Sequence, residues 1–472
     1  MGVATPMTET GLSAADAMVI FGITGDLARK MTFPSLYRLE GAGELDCPII
    51  GVAKDDWPRD RLLDVIESSI SHDGHPVDKR VVSRLAGRIT YINGDFLASE
   101  TYSKIAEALA GARKPLFYLE IPPSLFAPVA TSIAKAGLAS NALVLFEKPF
   151  GRDLASARQL NQDLHAVLAE EQILRIDHFL GKQPVLDLHF LRFANEWLEP
   201  LWNRNHISLI QVTMAEDFGV EDRGAFYDPV GALRDVVQNH LMQVLALALM
   251  EAPVGVGYDA LWDRKIDVYR AFEDADPAQV VRGQYEGYQE VPGVKPGSTT
   301  ETYIALRLEL STWRWGGVPI FIRAGKALPV TATELRFVFR DPPKLPYLGG
   351  RVRGLPNQLV LRLDPQPGLR MTFLSKDARG RGVRTVDMDL PFQEELGRSP
   401  EPYERLLNDA LRGDRSLFAR QDSVEETWRI LEPILEITAP PVRYARGSWG
   451  PSQAHDLLRG HLGWQAPWLE SH

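Results

Sequence analysis

A single cysteine, Cys47, is all that the 472 residues contain. No intrachain disulfide can form and a cysteine-based metal site is not expected, which fits a reducing cytosol. Long apolar runs are also missing. The best candidate, Leu241 to Met250, is about half of a membrane span and carries Gln243, so no membrane partner is expected. An excess of positive charge is lacking too: 52 Lys and Arg stand against 62 Asp and Glu, a net charge of −10. That balance argues against a nucleic-acid partner and gives no long-range attraction for an anion, so any bound phosphate must rest on a local basic cluster. There is no internal repeat or low-complexity block. Met1 to Asp16 have neither the basic start nor the apolar core of a secretory signal and read as a short mobile tail.

A chain of this length exceeds one ordinary core, and two domains are expected. From residue 17 onward, short apolar runs alternate with helical patterns: Ala17–Phe21, Cys47–Ala53, Ile89–Ile92, Pro115–Leu119 and Leu143–Phe146. Such alternation predicts a parallel, doubly wound sheet with helices on both faces. Beyond about residue 200 the period changes. Ile304, Leu306, Leu308 and Leu310 alternate with Tyr303, Ala305, Arg307 and Glu309, the pattern of a strand with one buried face. The runs 206–214, 318–323, 334–340, 358–363 and 384–390 are similar, with few helices between the later ones, so an α+β domain with a large, mainly antiparallel sheet is expected. The division is drawn as a dinucleotide-binding domain over 17–178 and a substrate and oligomerisation domain over 179–472. Small ligands favour the cleft between domains.

Gly22, Gly25 and Ala28 follow the first strand and open a helix: a tight turn, a bare backbone for a pyrophosphate, and close helix-to-sheet packing. The helix start offers free N–H groups to phosphates. GxxGxxA spacing alone is a weak signal, shared with ordinary glycine turns. The second strand ends in Lys54-Asp55-Asp56. Lysine can pair with a ribose 2′-phosphate as a point charge, whereas an acid there suits a free 2′-hydroxyl.

Two further blocks carry chemistry. Arg175-Ile176-Asp177-His178-Phe179-Leu180-Gly181-Lys182 reads as a strand end, then a helix starting near Leu180 with Lys182 in its first turn, where cationic donors make an anion site. In Arg234-Asp235-Val236-Val237-Gln238-Asn239-His240, the histidine falls at the edge of an apolar helical stripe, where most histidines are merely hydrogen-bonded. An ordinary α-helix would set Asp235 and His240 about 140° apart around its axis, so they would not share a partner.

Together with Gly25-Asp26-Leu27-Ala28 and Glu147-Lys148-Pro149-Phe150-Gly151-Arg152-Asp153-Leu154, these blocks resemble the glucose-6-phosphate dehydrogenase family from about residue 17 to the C-terminus. The resemblance implies a Rossmann-like N-terminal domain, NADP as cofactor with NAD possible, glucose 6-phosphate as substrate and a cytoplasmic homodimer or homotetramer, with no metal. It implies His240 as general base with Asp177 fixing its tautomer. Lys148, His178, Lys182, Glu216, Asp235 and Lys326 become substrate ligands, and Gly22, Thr24, Gly25, Asp26, Leu27, Lys54, Asp95 and Lys148 the cofactor set. The chain departs from the family pattern at Lys54, where arginine is common, and at Phe179, where tyrosine would add a hydroxyl for the phosphate. Pro329–Thr333 lacks basic residues that family members often carry, so one phosphate contact and a second, structural NADP site are not carried over. The alternatives are a related oxidoreductase of an unphosphorylated sugar and a silent dinucleotide-binding regulator.

Overall fold

In the computed structural model, which describes residues 14–71, 77–343, 355–378, 383–393, 397 and 399–469, Ala17–Phe21 (β1) is buried along its whole length at the centre of a parallel sheet. Its neighbours are Ile49–Ala53 (β2), Ile89–Asn93 (β3), Pro115–Leu119 (β4), Leu143–Phe146 (β5) and Ile173–Arg175 (β6), in the order β3-β2-β1-β4-β5-β6. The order reverses between β2 and β4, on either side of β1. A doubly wound sheet binds its ligand at that switch point, beyond the strands' carboxyl ends. The central apolar runs suit this sheet because helices cover both faces, while the edge strand β3 leaves Thr90 exposed.

The second sheet has nine strands: Ile207–Ala215 (β7), Val280–Tyr285 (β8), Tyr303–Leu308 (β9), Ile320–Gly325 (β10), Ala332–Phe339 (β11), Gln358–Asp364 (β12), Gly368–Lys376 (β13), Val383–Pro391 (β14) and Val442–Tyr444 (β15). Its order is β14-β13-β12-β11-β7-β10-β9-β8-β15, antiparallel except at β7/β10 and β8/β15. Strands β8, β13 and β15 were not anticipated from the sequence, being polar or very short. The expectation of one buried face on β9 is corrected. Ile304, Leu306 and Leu308 join the main core, while Tyr303 and Ala305 pack with Phe321, Ala454, Leu457 and Leu458 from the C-terminal segment. Sequence period cannot reveal a cover supplied by a segment far along the chain.

The tail expectation needs a boundary change. Residues 1–13 lie outside the described residues, but Ala15 N–H donates to the Leu411 carbonyl at 2.6 Å and the Asp16 carboxylate accepts from Arg113 and Lys114 N–H. The apolar run at 241–250 is the fully buried helix Met242–Leu249. Among the described residues no helix is long and apolar enough to cross a membrane.

Candidate active site

At the carboxyl end of β1, Gly22 adopts φ +88°, and a Cβ there would lie 2.2 Å from the Glu120 carbonyl oxygen. Only glycine suits that backbone. Gly25 N–H closes the turn on Gly22 O at 2.8 Å, and the helix that follows begins as a π-helical stretch, Ala28–Thr32, before the α-helix Phe33–Ala42. Ala28 is fully buried against the sheet while Gly25 and Asp26 stay exposed and Thr24 and Leu27 half-buried. The bare turn at a helix start fits a dinucleotide's phosphates. Around it, Thr24 Oγ1 donates to Asp55 Oδ2 at 2.6 Å, and Lys54 Nζ pairs with Asp95 at 3.0 Å. Asp95, expected to meet the cofactor, thus meets Lys54, the other residue expected there.

Asp177 lies two residues beyond β6 and caps the short 3-10 helix His178–Gly181, its Oδ1 accepting from Phe179 N–H at 3.0 Å. The same oxygen accepts from His240 Nδ1–H at 2.5 Å. His240 Nε2 then carries the lone pair, and the Lys148 ammonium donates to it at 3.1 Å. Lys148 also donates to the Asp235 carbonyl at 3.1 Å and lies 3.4 Å from Asp235 Oδ1. Asp235 and His240 therefore share a partner, which corrects the α-helical expectation. Leu233–Leu241 is π-helical, and i→i+5 bonding stacks residues five apart on one face. A π segment inside an α-like pattern leaves no signature in apolar spacing.

Phe179 is buried and stacks on the His240 ring at 4.4 Å and 12°, while His178 meets His240 edge-on at 4.5 Å. Lys182 lies just before the helix Gln183–Phe193 and not within its first turn, because Pro184 opens that helix. Its ammonium sits 4.2 Å over the Phe179 ring and pairs with Asp364, a partner on β12 not foreseen from the sequence. On the opposite side Lys326 pairs with Glu216, beside a cavity of about 230 Å³ that Asp235, Phe218 and Tyr227 also line. Thr331, standing where basic residues are common, donates to Asp217 Oδ1 at 2.6 Å.

Behind Lys148, sequence reasoning missed a buried acid cluster. Glu147 accepts from Tyr118 OH at 2.6 Å and from Tyr403 OH at 3.3 Å, and Tyr403 lies parallel to the His178 ring. Burial raises Glu147 to about 7 and Glu120, which accepts from Thr32, to about 8. Glu147 stood in a block singled out for Lys148, but nothing in the sequence showed that Tyr118 and Tyr403 would meet it.

Charges at the centre are set by burial and pairing. Burial pushes His240 below its ordinary range, with Asp177 opposing and Lys148 adding to the shift. Burial likewise drives His178 well down. Burial would raise Asp177, but the His240 charge and hydrogen bond outweigh it and hold the carboxyl far below its usual range. A neutral imidazole fixed by a carboxylate is able to accept a proton from an alcohol. Asp177, His178 and His240 have ligand atoms within 4.8 Å of one another, and within that set Asp177 Oδ1 and His240 Nδ1 already bond each other while Lys148 occupies His240 Nε2.

Fold and site together define a dinucleotide-dependent oxidoreductase of hydroxyl substrates. Residues 19–187 match the family model "Glucose-6-phosphate dehydrogenase, NAD binding domain", and residues 189–465 match "Glucose-6-phosphate dehydrogenase, C-terminal domain". The chain is 56% identical over 463 residues to glucose-6-phosphate 1-dehydrogenase 1 of Mycobacterium tuberculosis, covering 98% of this chain and 99% of that one. It is also 56% identical to the crystal structure of glucose-6-phosphate 1-dehydrogenase from Mycobacterium avium, with a TM-score of 0.91 over 97% of this chain and 100% of that. A glucose-6-phosphate dehydrogenase solved with glucose 6-phosphate, 32% identical, superposes with a TM-score of 0.89 over the same shares. The chain belongs to the glucose-6-phosphate dehydrogenase family. Membership carries the activity: oxidation of glucose 6-phosphate with a nicotinamide dinucleotide as hydride acceptor.

Proposed function

We propose that the chain oxidises D-glucose 6-phosphate at C1 to 6-phospho-D-glucono-1,5-lactone with His240 as the general base and NADP as the preferred acceptor, NAD also being used. The observation that carries the assignment of the base is the fixed tautomer: Nδ1–H is held on Asp177, and Nε2 presents its lone pair toward Lys148. The C1 hydroxyl takes the place of the Lys148 ammonium at Nε2 and gives up its proton there, and Asp177 stabilises the imidazolium. Lys148 then turns to the substrate oxygens. Held at Gly22, Thr24, Gly25, Asp26 and Leu27, with Lys54 toward the ribose, the nicotinamide cofactor supplies the hydride acceptor.

His178 and Lys182 hold the phosphate, Lys182 exchanging its Asp364 partner for the dianion, while Glu216, Asp235 and Lys326 take the sugar hydroxyls. This anion site favours a phosphorylated over a free sugar, and the complete dyad argues against a silent regulator. Lys54 serves a 2′-phosphate, but its pairing with Asp95 and the neighbouring Asp55 temper the preference for NADP. We place the unit boundary at 178/179 and the protein in the cytosol as a homo-oligomer, without membrane or nucleic acid. Exposed Phe373, Val386, Met388 and Leu390 on the β13/β14 edge support assembly through the second sheet.

The test is the initial rate of nicotinamide reduction with glucose 6-phosphate and with free glucose, using NADP and NAD side by side, in wild type and His240→Ala. Phosphate-dependent turnover that collapses in the variant is the expected result. Equal rates with free glucose, or full activity in the variant, would overturn the assignment.

A further inference from the structure

Lys265 is 2% exposed on the helix Tyr258–Ala271 and makes no hydrogen bond or ion pair among the described residues. Lysine almost never goes so deep without a partner. Its helix packs against Met242–Leu249, the continuation of the segment that carries His240, and against Gln421–Leu435. One turn beyond Lys265, Tyr269 OH donates to the Met242 carbonyl at 3.2 Å and ties the two helices together two residues from the base. On the dyad, Asp177 spends Oδ1 on His240 and Phe179, while Oδ2 is buried without a hydrogen-bond partner. Lys265 and Asp177 are not in direct contact, but among the described residues Asp177 is the one charged group whose field reaches Lys265, and the same field reaches Tyr269.

We propose that Lys265 is the buried countercharge of Asp177, a positioning residue that acts through the carboxylate to set the pH at which His240 becomes a base. With His240 neutral, Asp177 and Lys265 balance. Adding a proton to His240 leaves a net positive charge in a buried site, so the Lys265 ammonium works against the imidazolium and keeps the base free at lower pH. The other groups facing His240 are His178, Lys148 and Asp235, and Tyr403 and Tyr269 also face Asp177. On Gln421–Leu435, behind Lys265, Asp422 is paired with Arg420 and Glu426 with Arg429. Burial lowers Lys265 itself to about 8, with Asp177 opposing, so it is charged through the neutral range.

The inference rests on His240 as base, which His240→Ala tests separately. The experiment is the pH profile of kcat/KM for glucose 6-phosphate with saturating NADP in wild type, Lys265→Met and Lys265→Arg. The acid limb moves up by roughly half a unit or more in Lys265→Met and returns in Lys265→Arg. An unmoved limb in Lys265→Met, or an equal shift in both variants, overturns the proposal. Thermal unfolding supplies a second arm, since removing both members of a buried pair is tolerated better than removing one. Lys265→Met combined with Asp177→Asn loses less Tm than the two single losses summed. A Lys265→Met chain that folds only in that double variant supports the pairing, and one that folds in neither background counts against it.

Discussion

Asp177→Asn removes the charge of the dyad while keeping its shape, and its effect follows from geometry. Oδ1 is oriented by the Phe179 N–H and lies 2.5 Å from His240 Nδ1, so an asparagine carbonyl there still accepts the ring proton. What disappears is the attraction between carboxylate and imidazolium as the proton is transferred. Opposite charges about 4 Å apart interact by about 4 kcal/mol at an effective dielectric of about 20. A neutral hydrogen bond recovers about 1 kcal/mol of that. The remaining ~3 kcal/mol falls on the chemical step and corresponds to roughly a hundredfold loss in kcat. KM for glucose 6-phosphate changes little, because Asp177 is buried behind the base. The Asp177 charge raises the His240 pKa and its removal lowers it, so the acid limb of kcat/KM moves down in pH, opposite to Lys265→Met. Steady-state kinetics across pH, with thermal unfolding to show the variant is folded, read both effects. A folded Asp177→Asn enzyme with kcat within tenfold of wild type, or with its acid limb moved up, would refute this account of the dyad.

Lys54→Ala should lower kcat/KM with NADP about fivefold to tenfold and leave NAD nearly unchanged, because one charge-assisted contact to a 2′-phosphate is removed. Equal losses with both cofactors would mean that the Lys54–Asp95 pair supports the strand ends without reading the ribose. Gly22→Ala combines a positive φ with a Cβ 2.2 Å from the Glu120 carbonyl and should cost about 2 kcal/mol of stability or more. A Tm unchanged from wild type would show that the turn relaxes freely.

Whatever is local in cause was legible without the fold. The short all-apolar runs became the central strands of the parallel sheet because a strand buried on both faces has no polar residues to show. Asp177 follows a strand and precedes a helical turn, so its place at a strand end comes from neighbours in sequence. The glycine turn is likewise a property of a few consecutive residues, and the word-like blocks around Lys148, Asp177 and His240 were enough to name a family.

Pairings between distant segments were decided only by the tertiary structure. The π-helical path that brings Asp235 and His240 onto one lysine, the Lys182–Asp364 and Lys54–Asp95 pairs, the tyrosines around Glu147 and the depth of Lys265 all depend on which elements pack together. A charged residue in a sequence does not show whether water or another charge will face it. By itself the sequence determined the two kinds of sheet, the glycine turn and the set of reactive side chains, because backbone preference and apolar periodicity act over a few residues. The tertiary structure decided which charges touch, because electrostatic partnership in a buried site depends on distances through space and not along the chain.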